Sequence, residues 1–95
     1  MKRQSELSEG QWVKDHLSEE NPEAVILEDL DDALIGVGRQ HARKPVAVYS
    51  VAKILSELER VYDCTETDAA EWFGHNIECL GMGDDTPILL YEELV

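Results

Sequence analysis

The sequence predicts an α+β fold, a small antiparallel sheet of about three strands packed with two or three helices. Three observations lead there. SVAKILSELERVY repeats apolar residues at helical spacing, and ALIGVGRQHARKPVAVYS holds two short β-type runs around a basic connection. With 95 residues, the chain suffices for one compact domain and not for two. The order of elements, helix, two strands, two helices, strand, describes a sheet with helices on one side. Residues 1–22 are expected to form a short N-terminal helix, and residues 23–95 a single small domain.

The first helix is read over SEGQWVKDHL, with Ser8 as its cap and Gln11 three residues on, the spacing of a capping box. Trp12, Val13, His16 and Leu17 then share one face. Gly10 and the short length make this helix marginal unless it docks. Asn21 and Pro22 end it, because proline cannot continue the hydrogen-bond ladder. Leu34 to Arg39 and Val46 to Tyr49 read as a hairpin closed over His41 to Lys44, with a helix through DDALIGVGRQ as the alternative. Gly36 and Gly38 alternate on one face of the first strand, where a helix could pack closely. Ser50 caps the strongest helix, whose stripe is Val51, Ile54, Leu55, Leu58, Val61 and Tyr62, with Lys53 and Glu57 four apart on the polar side. Asp63 to Thr65 is a turn. Thr67 caps the next helix, Asp68 and Glu71 lie near its positive end, and Ala69, Phe73, Ile77 and Leu80 form its buried stripe. Gly81 stops it, MGDDTP is a loop, and Ile88 to Tyr91 reads as the last strand.

Charge is the most informative feature of the composition. The chain holds 21 acidic against 8 basic residues, a net charge of −13. Direct binding to nucleic acid or anionic membrane is therefore disfavoured by long-range repulsion. The acids are segregated: residues 1–32 hold ten, residues 33–56 none, and residues 57–95 the other eleven. Arg39, Arg43, Lys44 and Lys53 fall in the acid-free stretch and form a basic island, which the acids beginning at Glu28 are expected to neutralise if the hairpin forms. No apolar run approaches the ~18 residues of a membrane span, and Lys2 and Arg3 are not followed by a signal-peptide core. With only Cys64 and Cys79 and no disulfide framework, a reduced cytoplasm is the expected setting.

DDALIGVGR, AVYS leading into an amphipathic helix, AAEWFGHNI and GDDTPILL together resemble a family of short, largely uncharacterised proteins of bacteriophages and prophages. The resemblance runs from Asp31 to Leu90. Its corresponding residues are Asp32, Ile35 and Gly36; Ala47, Val48 and Tyr49; Glu71, Phe73 and Asn76; and Gly83, Thr86 and Pro87. Members often carry a second acidic-aromatic pair where this chain has Gly74 and His75, and usually no cysteine at Cys79. The resemblance implies a phage setting and no established reaction.

Several constellations could carry chemistry. Cys64, His75 and Cys79 offer C-x10-H-x3-C, whose ligand types suit zinc but whose spacing matches no common module and lacks a fourth ligand. As a Cys-His nucleophilic pair the same residues lack an orienting group. Asp29, Asp31 and Asp32, joined by Asp84 and Asp85, could gather oxygens for magnesium or calcium, although D-L-D-D-A lacks the alternation of a calcium loop. Tyr49, Trp72, Phe73 and Asn76 could rim a recognition pocket. Trp72 lies one position off the buried stripe, at its margin, where aromatic residues serve either the core edge or an interface. Carboxylates spaced over a small rigid domain can also imitate nucleic-acid phosphates in a basic groove.

The reading that follows is a small acidic protein, leaning away from an enzyme. It binds and modulates or inhibits a host protein, with nucleic-acid-handling and defence enzymes as the leading classes. Its partner-binding residues are Glu28, Asp29, Asp31, Asp32, Asp84, Asp85, Trp12 and Trp72. No catalytic residue, metal or cofactor is assigned, no direct nucleic-acid or membrane contact is expected, and a homodimer is expected. The alternative is a small metal-dependent or anion-binding enzyme using Asp29, Asp31, Asp32 and a histidine, His41 or His75.

Overall fold

The computed structural model describes residues 9–79, 81 and 83–92. Along the chain these form helix α1 (Glu9–Glu20), a 3-10 turn (Asp31–Ala33), strands β1 (Leu34–Gly38) and β2 (Val46–Ser50), helices α2 (Val51–Tyr62) and α3 (Glu66–Asn76), a second 3-10 turn (Gly83–Asp85) and strand β3 (Ile88–Leu90). The fold is α+β, with three helices and a three-stranded sheet in the order β1-β2-β3. The hairpin forms as its sequence predicts: β1 and β2 pair antiparallel from Gly38↔Val46 to Leu34↔Tyr49, with a register shift between Leu34 and Gly36. The sheet is nonetheless mixed rather than antiparallel, because β3 joins β2 in parallel through Val48↔Ile88 and Ser50↔Leu90. The reason is the connection: the α2-α3 pair acts as a crossover and returns the chain to the starting end of β2.

The core lies between the sheet and the helices. It gathers Val13 and Leu17 from α1, Leu30 and Ala33 from the first turn, Leu34, Ala47 and Tyr49 from the sheet, Ile54 and Leu58 from α2, and Ala69 and Phe73 from α3. The face predicted for α1 splits in two. Val13 and Leu17 are buried, whereas Trp12 and His16 stack outside with ring centroids 5.7 Å apart. Ser8, the predicted cap, lies outside the described residues, as does Leu80. The close helix approach expected at Gly36 and Gly38 occurs elsewhere. A Cβ at Gly36 meets open space and one at Gly38 meets the Ile88 and Val48 side chains, but a Cβ at Gly10 would collide with the Asp31 carbonyl oxygen. Glycine at position 10 therefore lets α1 lie directly on the 3-10 turn.

Caps define the two long helices. The Ser50 hydroxyl accepts the Lys53 N–H at 3.2 Å and donates to the Glu92 carboxylate, so the last residue of β2 starts α2. Thr65, not Thr67, caps α3, its Oγ1 accepting the Asp68 N–H at 3.1 Å, the N-cap to N3 relationship. That helix ends at Asn76, ahead of the predicted stop at Gly81, with the Ile77 and Glu78 N–H groups both donating to the Phe73 carbonyl. The predicted stripe on α2 also runs out early. Ile54 and Leu58 are buried, but Val61 and Tyr62 extend past the core and are 48% and 58% exposed.

Two buried polar groups fix the segment between α1 and the sheet. The Asn21 amide donates to the Pro45 carbonyl at 2.8 Å and to Asp85 Oδ1 at 3.1 Å, and its Oδ1 accepts the Glu23 N–H at 3.3 Å. It thus clips the end of α1 to the hairpin loop and the second 3-10 turn. The Tyr49 hydroxyl accepts the Leu27 N–H at 2.8 Å and holds the segment over the sheet. Burial of this phenol raises its pKa above the usual 10.0, against the lowering effect of the Leu27 bond and with a smaller push from the Asp31 charge.

Candidate functional site

The acidic run at residues 28–32 is shaped by one buried side chain. Leu30 enters the core and its carbonyl accepts the Ala33 N–H at 2.9 Å, so its neighbours turn outward. Asp29 makes that bend with φ 65°, a left-handed conformation that aspartate tolerates better than most residues. The result is a cleft of about 380 Å³ lined by Glu28, Asp29, Asp31, Asp32 and Glu57, with Ile26 and two cations, Lys14 and Arg60.

Both cations are already engaged. Lys14 Nζ lies 2.9 Å from Asp31 Oδ2, and Arg60 bonds the Glu57 carboxylate at 2.7 and 3.3 Å. The hydrogen bond from Glu57, then the charges of Glu57 and Asp32, raise the Arg60 pKa and keep the guanidinium charged. Glu57 thus pairs with Arg60, three residues on, rather than with Lys53. Among the described residues no salt bridge engages the exposed carboxylates Glu28, Asp29 and Asp32 at the mouth, although the Asp32 charge acts on Arg60.

Asp84 and Asp85 do not join this cleft. They line a separate opening of about 540 Å³ with Ala42, Arg43 and Lys44. Asp84 pairs with Arg43, and Asp85 receives the Asn21 amide. Two cations of the basic island are therefore paired internally, but not with the acids beginning at Glu28: Arg39 sits 3.6 Å from Glu20, and Arg43 takes Asp84.

The two tryptophans also separate. Trp12 is two residues from Lys14, hence on the far side of α1 from the cleft. Trp72 borders a notch of about 40 Å³ whose rim includes Glu28, Asp29 and Glu57 from the cleft, with Leu58, Val61 and Tyr62 of α2. Its ring is tilted against Tyr62 at 5.8 Å, and the Asn76 amide donates to its carbonyl at 3.0 Å. The pocket suggested by Tyr49, Trp72, Phe73 and Asn76 does not form, because Tyr49 and Phe73 are in the core while Trp72 and Asn76 are outside it.

Among the described residues no three His, Cys, Asp or Glu side chains gather in an arrangement that could hold a metal ion. Cys64 Sγ donates to the Leu58 carbonyl at 3.7 Å and Cys79 Sγ to the His75 carbonyl at 2.9 Å, and both thiols are free. His41 sits in the hairpin loop and His75 on α3, both exposed. The described helices include none long and apolar enough to cross a membrane.

Sequence reasoning missed Lys14, Glu57 and Arg60 as cleft residues, and Val61 and Tyr62 as surface. A local signal existed for Glu57 and Arg60, three apart on one helix with opposite charge. None existed for Lys14, which meets Asp31 only through the docking of α1. Compared with known proteins, the chain matches no family model, no curated sequence and no solved structure.

Proposed function

We propose that this is a small acidic interaction protein of bacteriophage type, acting in the cytoplasm of a bacterial host, where it binds a host protein and modulates or inhibits it. Enzymes that handle nucleic acid, including defence enzymes, are the favoured class of partner because their working grooves are basic. The observation that carries this reading is the cleft at residues 28–32, where Glu28, Asp29 and Asp32 are exposed and form no salt bridge among the described residues. Uncompensated carboxylates on a rigid ledge attract a basic surface, accelerate encounter and release its counterions. Asp31 acts in support, holding α1 to the ledge through Lys14.

A homodimer is a second reading, supported by β3. This strand lies at the sheet edge, carries no charge, and leaves Ile88 and Leu90 about two-fifths exposed, at 41% and 42%.

The test compares the wild type with the triple variant Glu28→Gln, Asp29→Asn, Asp32→Asn as bait in host lysate, followed by mass spectrometry and direct titration. Asparagine at position 29 keeps the left-handed backbone accessible, and Asp31 is left in place to preserve the fold. The expected result is a stoichiometric partner, retained in EDTA, whose affinity falls roughly tenfold or more in the variant. Equal affinity of the two proteins for their partner would refute the reading.

A further inference from the structure

We infer that the notch between α2 and α3 is continuous with the acidic cleft in function, and that together they dock an amphipathic segment of the partner protein, an apolar side chain seated at Trp72 and Tyr62 and flanking arginines on Glu28 and Asp29. This rests on the reading of the acidic cleft as the partner-binding site and adds what the partner must present there.

The argument begins with α2. Its apolar stripe continues one turn beyond the core, so Val61 and Tyr62 are displayed rather than buried, and Trp72 of α3 stands against Tyr62 at 39% exposure. Three large apolar side chains therefore form one uncovered ledge on a protein whose surface is otherwise rich in carboxylate. A contiguous ledge of this kind, centred on Trp and Tyr, has the composition of an interface hot spot.

Charge decides the occupant. The rim of the notch carries Glu28, Asp29 and Glu57, and only Glu57 has a cationic partner within the described residues. A second copy of this chain would bring the same carboxylates face to face, and an anionic membrane or a nucleic acid would be repelled. What fits is an apolar residue bordered by positive charge. Arginine suits the border better than lysine, because its planar group donates to both oxygens of a carboxylate at once and stacks on an indole face. Size points the same way. The cleft of about 380 Å³ has room for the flanking side chains, while the notch of about 40 Å³ admits only the tip of the apolar residue, which lies along the ledge.

The experiment uses two fluorescein-labelled, amidated eight-residue peptides followed by anisotropy at low salt. One has a central Leu-Trp pair flanked by arginines, and in the other that pair is replaced by Ser-Ser. The wild type should bind the first at least tenfold more tightly. Trp72→Ala should remove that preference while leaving affinity for the Ser-Ser peptide within twofold. Val61→Ser, at a position nearly half exposed, should weaken the preference severalfold with the circular dichroism unchanged, which guards against a folding defect in the tryptophan variant. The triple carboxylate variant should weaken both peptides. Equal binding of the two peptides by the wild type, or a preference that survives both Trp72→Ala and Val61→Ser, overturns the inference while the acidic-cleft reading stands. Absence of binding by either peptide overturns both. A dimer by light scattering that dissociates in Trp72→Ala would assign the notch to a second copy and likewise overturn the inference.

Discussion

Tyr49 shows how one side chain serves the site without belonging to it. Its ring fills the core and its hydroxyl is the acceptor for the Leu27 N–H, so the segment that leads into the acidic ledge is tied to the central strand. Tyr49→Phe keeps the ring and orphans that N–H, an expected loss of about 1–2 kcal/mol in urea unfolding at neutral pH. The difference should depend on pH. Burial raises the folded-state pKa of this phenol above 10.0, so the neutral form is favoured in the fold. The stability it contributes is complete below pH 10 and is lost as pH rises through the folded value, because the unfolded chain ionises first. Tyr91, raised by its bond to Glu78, titrates in both proteins and cancels in the comparison. Wild type and Tyr49→Phe should therefore converge as the pH is raised above 10. A gap that stays constant across that range would mean the phenol is not held neutral by burial.

Among the elements, α1 is held by a contact that reverses an ordinary expectation. Glycine in a helix interior usually costs about 1 kcal/mol against alanine. At Gly10 a Cβ would strike the Asp31 carbonyl, whereas at Gly36 it would meet nothing. Gly10→Ala should therefore destabilise by about 2 kcal/mol, since backbone must move, and Gly36→Ala should be neutral or stabilising by a few tenths. Thermal melts of the two variants that shift equally, or a Gly10→Ala protein more stable than wild type, would contradict this docking. The same pair marks where sequence reasoning succeeds and stops. Periodicity found α2 and the hairpin because Ile54, Leu58, Ala47 and Tyr49 are governed by local spacing, period 3.6 or 2. It placed the close helix contact at Gly36 and Gly38 because a pattern identifies a missing side chain and not what stands opposite. It also made β3 antiparallel, since strand direction depends on the crossover and not on residues 88–90 themselves. At the site, the acids of residues 28–32 and Trp72 were legible as composition and position. The split of Asp84 and Asp85 to another opening, and the arrival of Lys14 from α1, depend on tertiary contacts that no local pattern encodes.

For the whole molecule, one charge imbalance should act in opposite directions on folding and on binding. The net charge of −13 is carried by ten acids before Ala33 and eleven after Ser56, so compaction brings two like-charged halves of the chain together. That repulsion destabilises the native state and is relieved by salt, whose screening length shortens from about 30 Å at 0.01 M to about 10 Å at 0.1 M. The four ion pairs among the described residues, including Arg43–Asp84 and Lys14–Asp31, are screened too, but pairs this exposed contribute little each. Raising salt from 10 to 200 mM should thus raise the melting temperature by several degrees, corresponding to about 1 kcal/mol for a domain of this size. The same change should weaken the complex with a basic partner tenfold or more, because screening removes the attraction of Glu28, Asp29 and Asp32. A homodimer joined through the uncharged β3 edge would follow folding rather than binding, its mass by light scattering rising with salt as the two chains repel less. A melting temperature and a partner affinity that both rise with salt would place the interface on apolar surface. The carboxylates at residues 28–32 would then serve only to keep the protein solvated.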